Sequence, residues 1–130
     1  MYDRLQTLGE HILAEFYECD IEAIKDVRKV EESLLEAAAV AKATVVGSSF
    51  HLFEPHGVSG VVIISESHFA IHSWPEYAYA AVDIFTCGKS VKPLEAFLYL
   101  KRCFGTKNAV YQVVQRGQMN FKMSAQRRTQ

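Results

Sequence analysis

The sequence has little excess charge and no long apolar run. Its 14 lysines and arginines nearly balance its 15 aspartates and glutamates, for a net charge of −1. Nucleic-acid-binding domains usually carry a basic excess, so we expect no nucleic-acid partner. No apolar run reaches the roughly 20 residues that cross a bilayer, and residues 1–10 lack the pattern of a signal peptide. We therefore expect no membrane contact and a cytoplasmic location.

Cysteine is also scarce, and no linker or repeat divides the chain. The three cysteines, Cys19, Cys87 and Cys103, are an odd number without close pairs, which argues against a disulfide framework and a Cys-x-x-Cys metal site. A buried thiol is the usual role of such a residue. The length of 130 residues suits one domain, 1–130. So small a domain buries a modest fraction of its surface, and oligomerisation would bury more of it and add stability.

Hydrophobic periodicity predicts two helices and several short strands. Asp20 is placed to cap a helix over 21–42, in which apolar residues recur every three or four positions. Pro93 suits the first turn of a second helix, 93–104. The strand candidates are 11–19, 43–53, 61–65, 68–74, 80–85 and 109–114. The polar remainder of the chain is expected to be loose.

This order of elements predicts an α+β fold. Two helices cannot cover both faces of a sheet with this many strands, so both should lie on one face of a two-layer α/β sandwich. Successive strands joined by short turns imply a largely antiparallel sheet. The other face then needs water or a partner, which favours a homodimer.

Reactive side chains concentrate in residues 65–76. Because side chains alternate along a strand, His68, His72 and Trp74 should share one face, opposite Phe69 and Ile71. A polar turn is the ordinary explanation of such a segment. Two histidines do not complete a zinc site, since no third ligand lies at a suitable spacing, and we expect no metal.

A cysteine–histidine nucleophilic pair is a further possibility in this part of the chain. Thr86 and Gly88 flank Cys87, which places a thiol at the end of a strand next to a flexible residue. Cys87 with His72 is therefore a generic hypothesis for nucleophilic catalysis. No local signature of a protease family supports it.

Several sequence blocks occur together in a known order. They are AEFYECD (14–20), GVSGVV (57–62), ISESH (64–68), YAAVD (79–83) and FTCG (85–88). In this order and spacing the chain resembles the prokaryotic S-adenosylmethionine decarboxylase family, over residues 8–105. The resemblance implies a pyruvoyl-dependent proenzyme that cuts itself between Glu66 and Ser67, into a beta chain (1–66) and an alpha chain (67–130).

The cleavage that the resemblance implies is an autocatalytic serinolysis. The hydroxyl of Ser67 attacks the carbonyl of Glu66 and exchanges the amide for an ester. β-Elimination then releases the Glu66 carboxylate, and the remaining dehydroalanine hydrolyses to a pyruvoyl group with loss of ammonia. By family match Ser59 stabilises the developing oxyanion, and His72 accepts the proton removed in the elimination.

The implied reaction is decarboxylation of S-adenosylmethionine to the aminopropyl donor of spermidine biosynthesis. The pyruvoyl group condenses with the substrate's amine to a Schiff base and accepts the electrons released with carbon dioxide. The resemblance assigns the return of a proton to the substrate carbon to Cys87, since thiols are largely protonated at neutral pH.

Substrate-binding roles follow from the same resemblance. Phe53 matches the ring that stacks on adenine, and Glu76 matches the carboxylate that takes the ribose hydroxyls. Trp74 lines the pocket by its position and could approach the sulfonium cation. Each has an ordinary alternative: Phe53 and Trp74 as core residues, and Glu76 as a surface charge.

Two other functions stay open. One is a pyruvoyl-dependent arginine decarboxylase on the same scaffold, which would share the processing residues and differ in its pocket. The other is a non-processing regulatory or ligand-binding subunit. The joint presence of Ser59, Ser67, His72 and Cys87 counts against the second.

Overall fold

Residues 6–65 and 67–119 are described by a computed structural model of the chain, and they form one antiparallel sheet. Its six strands are β1 (Gln6–Tyr17), β2 (Val45–Leu52), β3 (Val58–Ile64), β4 (Ser67–Trp74), β5 (Tyr79–Cys87) and β6 (Asn108–Met119). Their spatial order is β2-β3-β4-β5-β1-β6. From β2 to β5, each strand pairs with the next one in the sequence through a short connection. β1 lies between β5 and β6 and pairs with both.

The helices pack on one face of this sheet. They are α1 (Ile21–Lys25), α2 (Val27–Val40) and α3 (Pro93–Cys103), with a 3₁₀-helix at Pro75–Tyr77. α2 contacts β2 and β3, α3 contacts β1 and β5, and α2 and α3 contact each other. Burial alternates along the strands, so Phe16, Phe69 and Ile84 lie fully buried beneath the helices. The predicted α+β sandwich is therefore confirmed.

The predicted number of helices was wrong, because the helix expected over 21–42 is interrupted at Asp26. Asp26 has an extended backbone (φ −89°, ψ 119°). Its Oδ1 accepts hydrogen bonds from the backbone N–H groups of Arg28 and Lys29 at 2.9 and 3.3 Å. An aspartate side chain competes for backbone donors in this way and starts a new helix. The described residues thus contain three α-helices, and the predicted cap Asp20 is confirmed for α1.

β1 and the edge strand β6 are longer than predicted. β6 continues to Met119, five residues past the predicted end, and β1 begins at Gln6. Backbone hydrogen bonds pair the two strands from Gln6 opposite Met119 to Tyr17 opposite Asn108. These backbone bonds do not depend on side-chain polarity. The polar residues after 114, which were expected to be loose, are therefore held in β6 as far as Met119. The rest of the polar tail, residues 120–130, lies outside the described residues.

The second face of the sheet, here called the open face, has no helix over it within residues 6–65 and 67–119. Its residues include Leu13, Ser59, Val61, His68, Ala70, His72, Trp74, Ala81, Phe85 and Cys87. The predicted alternation in β4 is confirmed, since Phe69, Ile71 and Ser73 are buried on the helix side. In the part of the chain that the structure describes, no helix is long and apolar enough to cross a membrane.

Candidate active site

The residue predicted to become the cofactor lies beside the predicted proton donor. Ser67 is the first residue of β4 and Cys87 the last of β5. The Ser67 hydroxyl donates a hydrogen bond to the Cys87 sulfur at 3.2 Å, and both residues are half-buried. The antiparallel register, with His68 opposite Phe85, brings these two strand ends together. We call these residues the Ser67–Cys87 pair.

The predicted cleavage site lies at the start of β4. Ile64 is the partner of Ser67 in the β3–β4 ladder, so only Ser65 and Glu66 link the two strands. The backbone N–H of Ser65 donates to the carbonyl of Thr44 at 2.9 Å, which ties this turn to the start of β2. Glu66 itself lies outside the described residues.

The predicted processing residues Ser59 and His72 form a second group. They are register partners across β3 and β4, and the Ser59 Oγ and His72 Nδ1 atoms are 2.8 Å apart. The Trp74 ring is 6.4 Å from the His72 ring. Phe53 follows β2 directly and packs its ring on that of His51, with centroids 4.5 Å apart. We call Ser59 and His72 together the Ser59–His72 group.

Glu76 lies next to that group, in the 3₁₀-helix that follows Trp74. Its Oε2 atom is 3.3 Å from His56 Nε2. Both residues line a cleft of about 490 Å³ that also includes Lys25 of α1. His56 could not be predicted from the sequence, because a single histidine in a loop has no periodicity or ligand spacing that distinguishes it.

The two groups lie at opposite ends of β4. His72 is five residues from Ser67 on one continuous strand, which corresponds to about 17 Å. One chain therefore does not bring Ser59 and His72 to the Ser67 hydroxyl. The hypothesis of a Cys87–His72 nucleophilic pair within one chain is wrong, because His72 lies opposite Ala81, six residues from Cys87 along β5.

The open face also carries a cluster of charged and aromatic groups that the sequence does not reveal. The His11 ring stacks on Phe85 at 5.2 Å, and its Nε2 and Nδ1 atoms lie 3.8 Å from Asp83 Oδ2 and 3.2 Å from Arg116 Nη1. Burial lowers the pKa of His11, and the nearby Asp83 carboxylate opposes this shift. Nε2 of His11 is buried without a hydrogen-bond partner among the described residues.

The described residues show no cluster that resembles a metal site. Within 6–65 and 67–119, no three histidine, cysteine, aspartate or glutamate side chains are arranged so that they could hold a metal ion. The chemistry of the candidate site is instead that of a hydroxyl beside a thiol and of a second hydroxyl beside an imidazole. These are groups that attack carbonyls and transfer protons.

Comparison with known proteins gives one consistent result. The family model described as S-adenosylmethionine decarboxylase matches residues 10–117. An S-adenosylmethionine decarboxylase proenzyme of Thermosipho africanus is 61% identical over 97 residues, 75% of each chain. One from Acidithiobacillus ferrooxidans is 49% identical over 116 residues, 89% of this chain and 87% of the relative. The crystal structure of the adenosylmethionine decarboxylase from Aquifex aeolicus superposes with a TM-score of 0.80 at 39% identity, covering 86% of this chain and 92% of the other.

Proposed function

Because the chain belongs to the S-adenosylmethionine decarboxylase family, we propose that it decarboxylates S-adenosylmethionine with a pyruvoyl group made from Ser67. The observation that carries the proposal is the Ser67–Cys87 pair, a hydroxyl and a thiol 3.2 Å apart at the ends of two neighbouring strands. The relatives' names as proenzymes support self-cleavage. The decarboxylated product is an aminopropyl donor for spermidine synthesis.

Ser67 first acts on its own chain. Its hydroxyl attacks the Glu66 carbonyl, and the peptide bond becomes an ester. A base removes the Cα proton of Ser67, the Glu66 carboxylate leaves, and water converts the dehydroalanine to a pyruvoyl group with release of ammonia. Residues 1–66 and 67–130 are then separate chains held together by three strand pairings, β3–β4, β1–β5 and β1–β6.

The position of Ser67 suits a pyruvoyl group. The side chain is half-buried at a strand end, and the thiol of Cys87 contacts it directly. When present, a pyruvoyl group supplies a ketone that condenses with the substrate's amine and withdraws the electrons released with carbon dioxide. Cys87 holds a proton next to that position and returns it to the substrate carbon.

We propose that the working enzyme is a homodimer in which two copies pack their open faces together. The separation of about 17 Å along β4 leaves each Ser67 without the Ser59–His72 group of its own chain. In a two-fold dimer, whatever one copy supplies to its partner it also receives. Two copies packed with β4 strands in opposite directions would each place a Ser59–His72 group near the other's Ser67.

The open face has the composition that such an interface needs. The exposed rings of Trp74 and Tyr17 each stack on Tyr79, with centroids 5.3 Å apart, and contiguous exposed apolar surface marks interaction sites. The His11 Nε2 atom, which has no hydrogen-bond partner among the described residues, could gain one from a second copy. These observations support packing through this face.

A complementation experiment tests the shared site. Chains with Ser67→Ala and chains with His72→Ala should each remain uncut when expressed alone. When the two are co-expressed, the His72→Ala chain should be cut, because its Ser67 meets the intact His72 of its partner. Mass spectrometry of tagged chains measures this. Cleavage of His72→Ala chains without a partner, or no cleavage in the mixture, would contradict the shared site.

Release of carbon dioxide from labelled substrates tests the reaction and separates it from the arginine alternative. We expect turnover of S-adenosylmethionine and none of arginine, because Phe53, Trp74 and Glu76 lie at the same end of the sheet and offer aromatic rings and a carboxylate for a nucleoside. Turnover of arginine alone would contradict the proposed substrate.

We also propose a cytoplasmic location for the protein and two kinds of partner. Three cysteines in widely separated sequence positions fit the reducing cytoplasm better than an oxidising compartment. The proposed partners are the small-molecule substrate and a second copy of the chain. A net charge of −1 offers no general attraction to nucleic acid.

A further inference from the structure

A short loop between β2 and β3 presents both Phe53 and His56. The backbone N–H of Phe53 donates to the Gly57 carbonyl at 2.8 Å, which closes the loop. Gly57 has φ +112°, and a Cβ atom there would lie 3.2 Å from the Ser73 carbonyl oxygen. Since this backbone region strongly favours glycine, the sequence specifies the loop's conformation.

A buried hydroxyl ties the end of this loop to the elements that carry Glu76. Ser73 Oγ accepts a hydrogen bond from the N–H of Val58 at 3.0 Å and donates one to the Ile24 carbonyl at 2.8 Å. Ser73 is buried, and Glu76 follows it by three residues. The loop and the 3₁₀-helix that hold His56 and Glu76 are therefore anchored at the same point.

The contact between the His56 and Glu76 side chains connects the two elements on the surface. Nε2 and Oε2 are 3.3 Å apart, and the side chains are 44% and 36% exposed. Exposed side-chain contacts of this kind contribute little to folding stability. A carboxylate has about four lone-pair positions, so a contact to one oxygen leaves Oε1 available to a ligand. The pair is therefore suited to orienting the carboxylate.

The cleft beside this pair has a suitable size for a nucleoside. Its volume of about 490 Å³ falls within the range of small-molecule sites. His56 and Glu76 both line it, and Phe53 stands at the start of the same loop that carries His56. One loop thus joins the predicted adenine-stacking ring to the histidine that contacts the predicted ribose-binding carboxylate.

We propose that His56 is a positioning residue, which holds the Glu76 carboxylate in the orientation that accepts hydrogen bonds from the ribose hydroxyls of the substrate. The inference rests on the proposed function, in which Glu76 binds the ribose. His56 acts through Glu76 and does not contact the reacting atoms. It therefore affects substrate binding and leaves the chemical step unchanged.

The first test compares KM with kcat. In His56→Ala we expect the KM for S-adenosylmethionine to rise roughly fivefold, as for a weakened charge-assisted hydrogen bond, with kcat and the rate of self-cleavage little changed. His56→Gln keeps an N–H donor and should recover most of the wild-type KM. Glu31→Ala is the matched control, because it removes the acceptor of the exposed Ser48–Glu31 hydrogen bond of 3.1 Å, neither residue of which lines the cleft, and should leave KM unchanged. An unchanged KM in His56→Ala would overturn the proposal.

A second test asks whether His56 acts through Glu76 and the ribose. In a Glu76→Gln background, His56→Ala should have little further effect on KM. By calorimetry, His56→Ala should weaken binding of 5′-methylthioadenosine more than binding of its 2′-deoxy analogue. Equal losses for both nucleosides, or full additivity of the two substitutions, would overturn the proposal. Absence of turnover in the wild-type enzyme would instead contradict the proposed function, independently of any difference among variants.

Discussion

Replacing Ser67 with alanine is expected to leave the chain uncut and without decarboxylase activity. Alanine has no hydroxyl to attack the Glu66 carbonyl, so neither the ester nor the pyruvoyl group can form. Turnover should fall to the uncatalysed background, a loss of at least about 10⁶-fold by the usual range of enzymatic acceleration. A denaturing gel with intact-mass analysis measures the cleavage, and carbon dioxide release measures the activity.

The wild-type chain and a neighbouring serine provide the controls. The wild-type protein should give two fragments, residues 1–66 and 67–130, the second with a pyruvoyl group at its amino terminus. Ser65→Ala alters an exposed serine of the same turn, whose described contact is made by its backbone N–H, and should be cut normally. Cleavage of the Ser67→Ala chain, or a wild-type chain that stays intact after long incubation, would contradict the mechanism.

Replacing Cys87 with alanine is expected to separate processing from turnover. The thiol lies 3.2 Å from the Ser67 hydroxyl, close to the position where the substrate carbon must regain a proton. Alanine cannot supply that proton, and general acid catalysis typically contributes about 10²- to 10⁴-fold. We expect a loss of turnover in this range, while cleavage between Glu66 and Ser67 continues. Single-turnover measurements on the cleaved variant test this directly.

The other cysteines allow a matched comparison. Cys103→Ala removes a half-buried thiol from α3, on the helix side of the sheet, and should leave turnover unchanged. Cys19 is buried, and this burial raises its pKa to about 11, so it should react slowly with alkylating agents in the folded protein. Full activity of Cys87→Ala would remove Cys87 from its proposed role, and loss of cleavage would place it in processing instead.

Features that depend on neighbours in sequence could be predicted without the structure. Asp20 caps α1, Pro93 lies in the first turn of α3, and the buried residues of β4 alternate as expected. The interruption at Asp26 was not predicted, because an aspartate can face solvent in a helix or cap a new one. In the structure the Asp26 side chain caps α2, and the local sequence pattern does not distinguish that arrangement from a continuous helix.

The sequence by itself determined the α+β class, the residues with reactive side chains and, through family resemblance, the chemistry proposed for Ser67. Only the tertiary structure decided which of these residues meet. Ser67 and Cys87 are distant in sequence and in contact because β4 and β5 pair in one register. His72 is near Ser67 in sequence and about 17 Å away, because a strand extends its residues along a line. Spacing in the sequence reports neither strand register nor end-to-end separation, and those two properties determine the layout of the site.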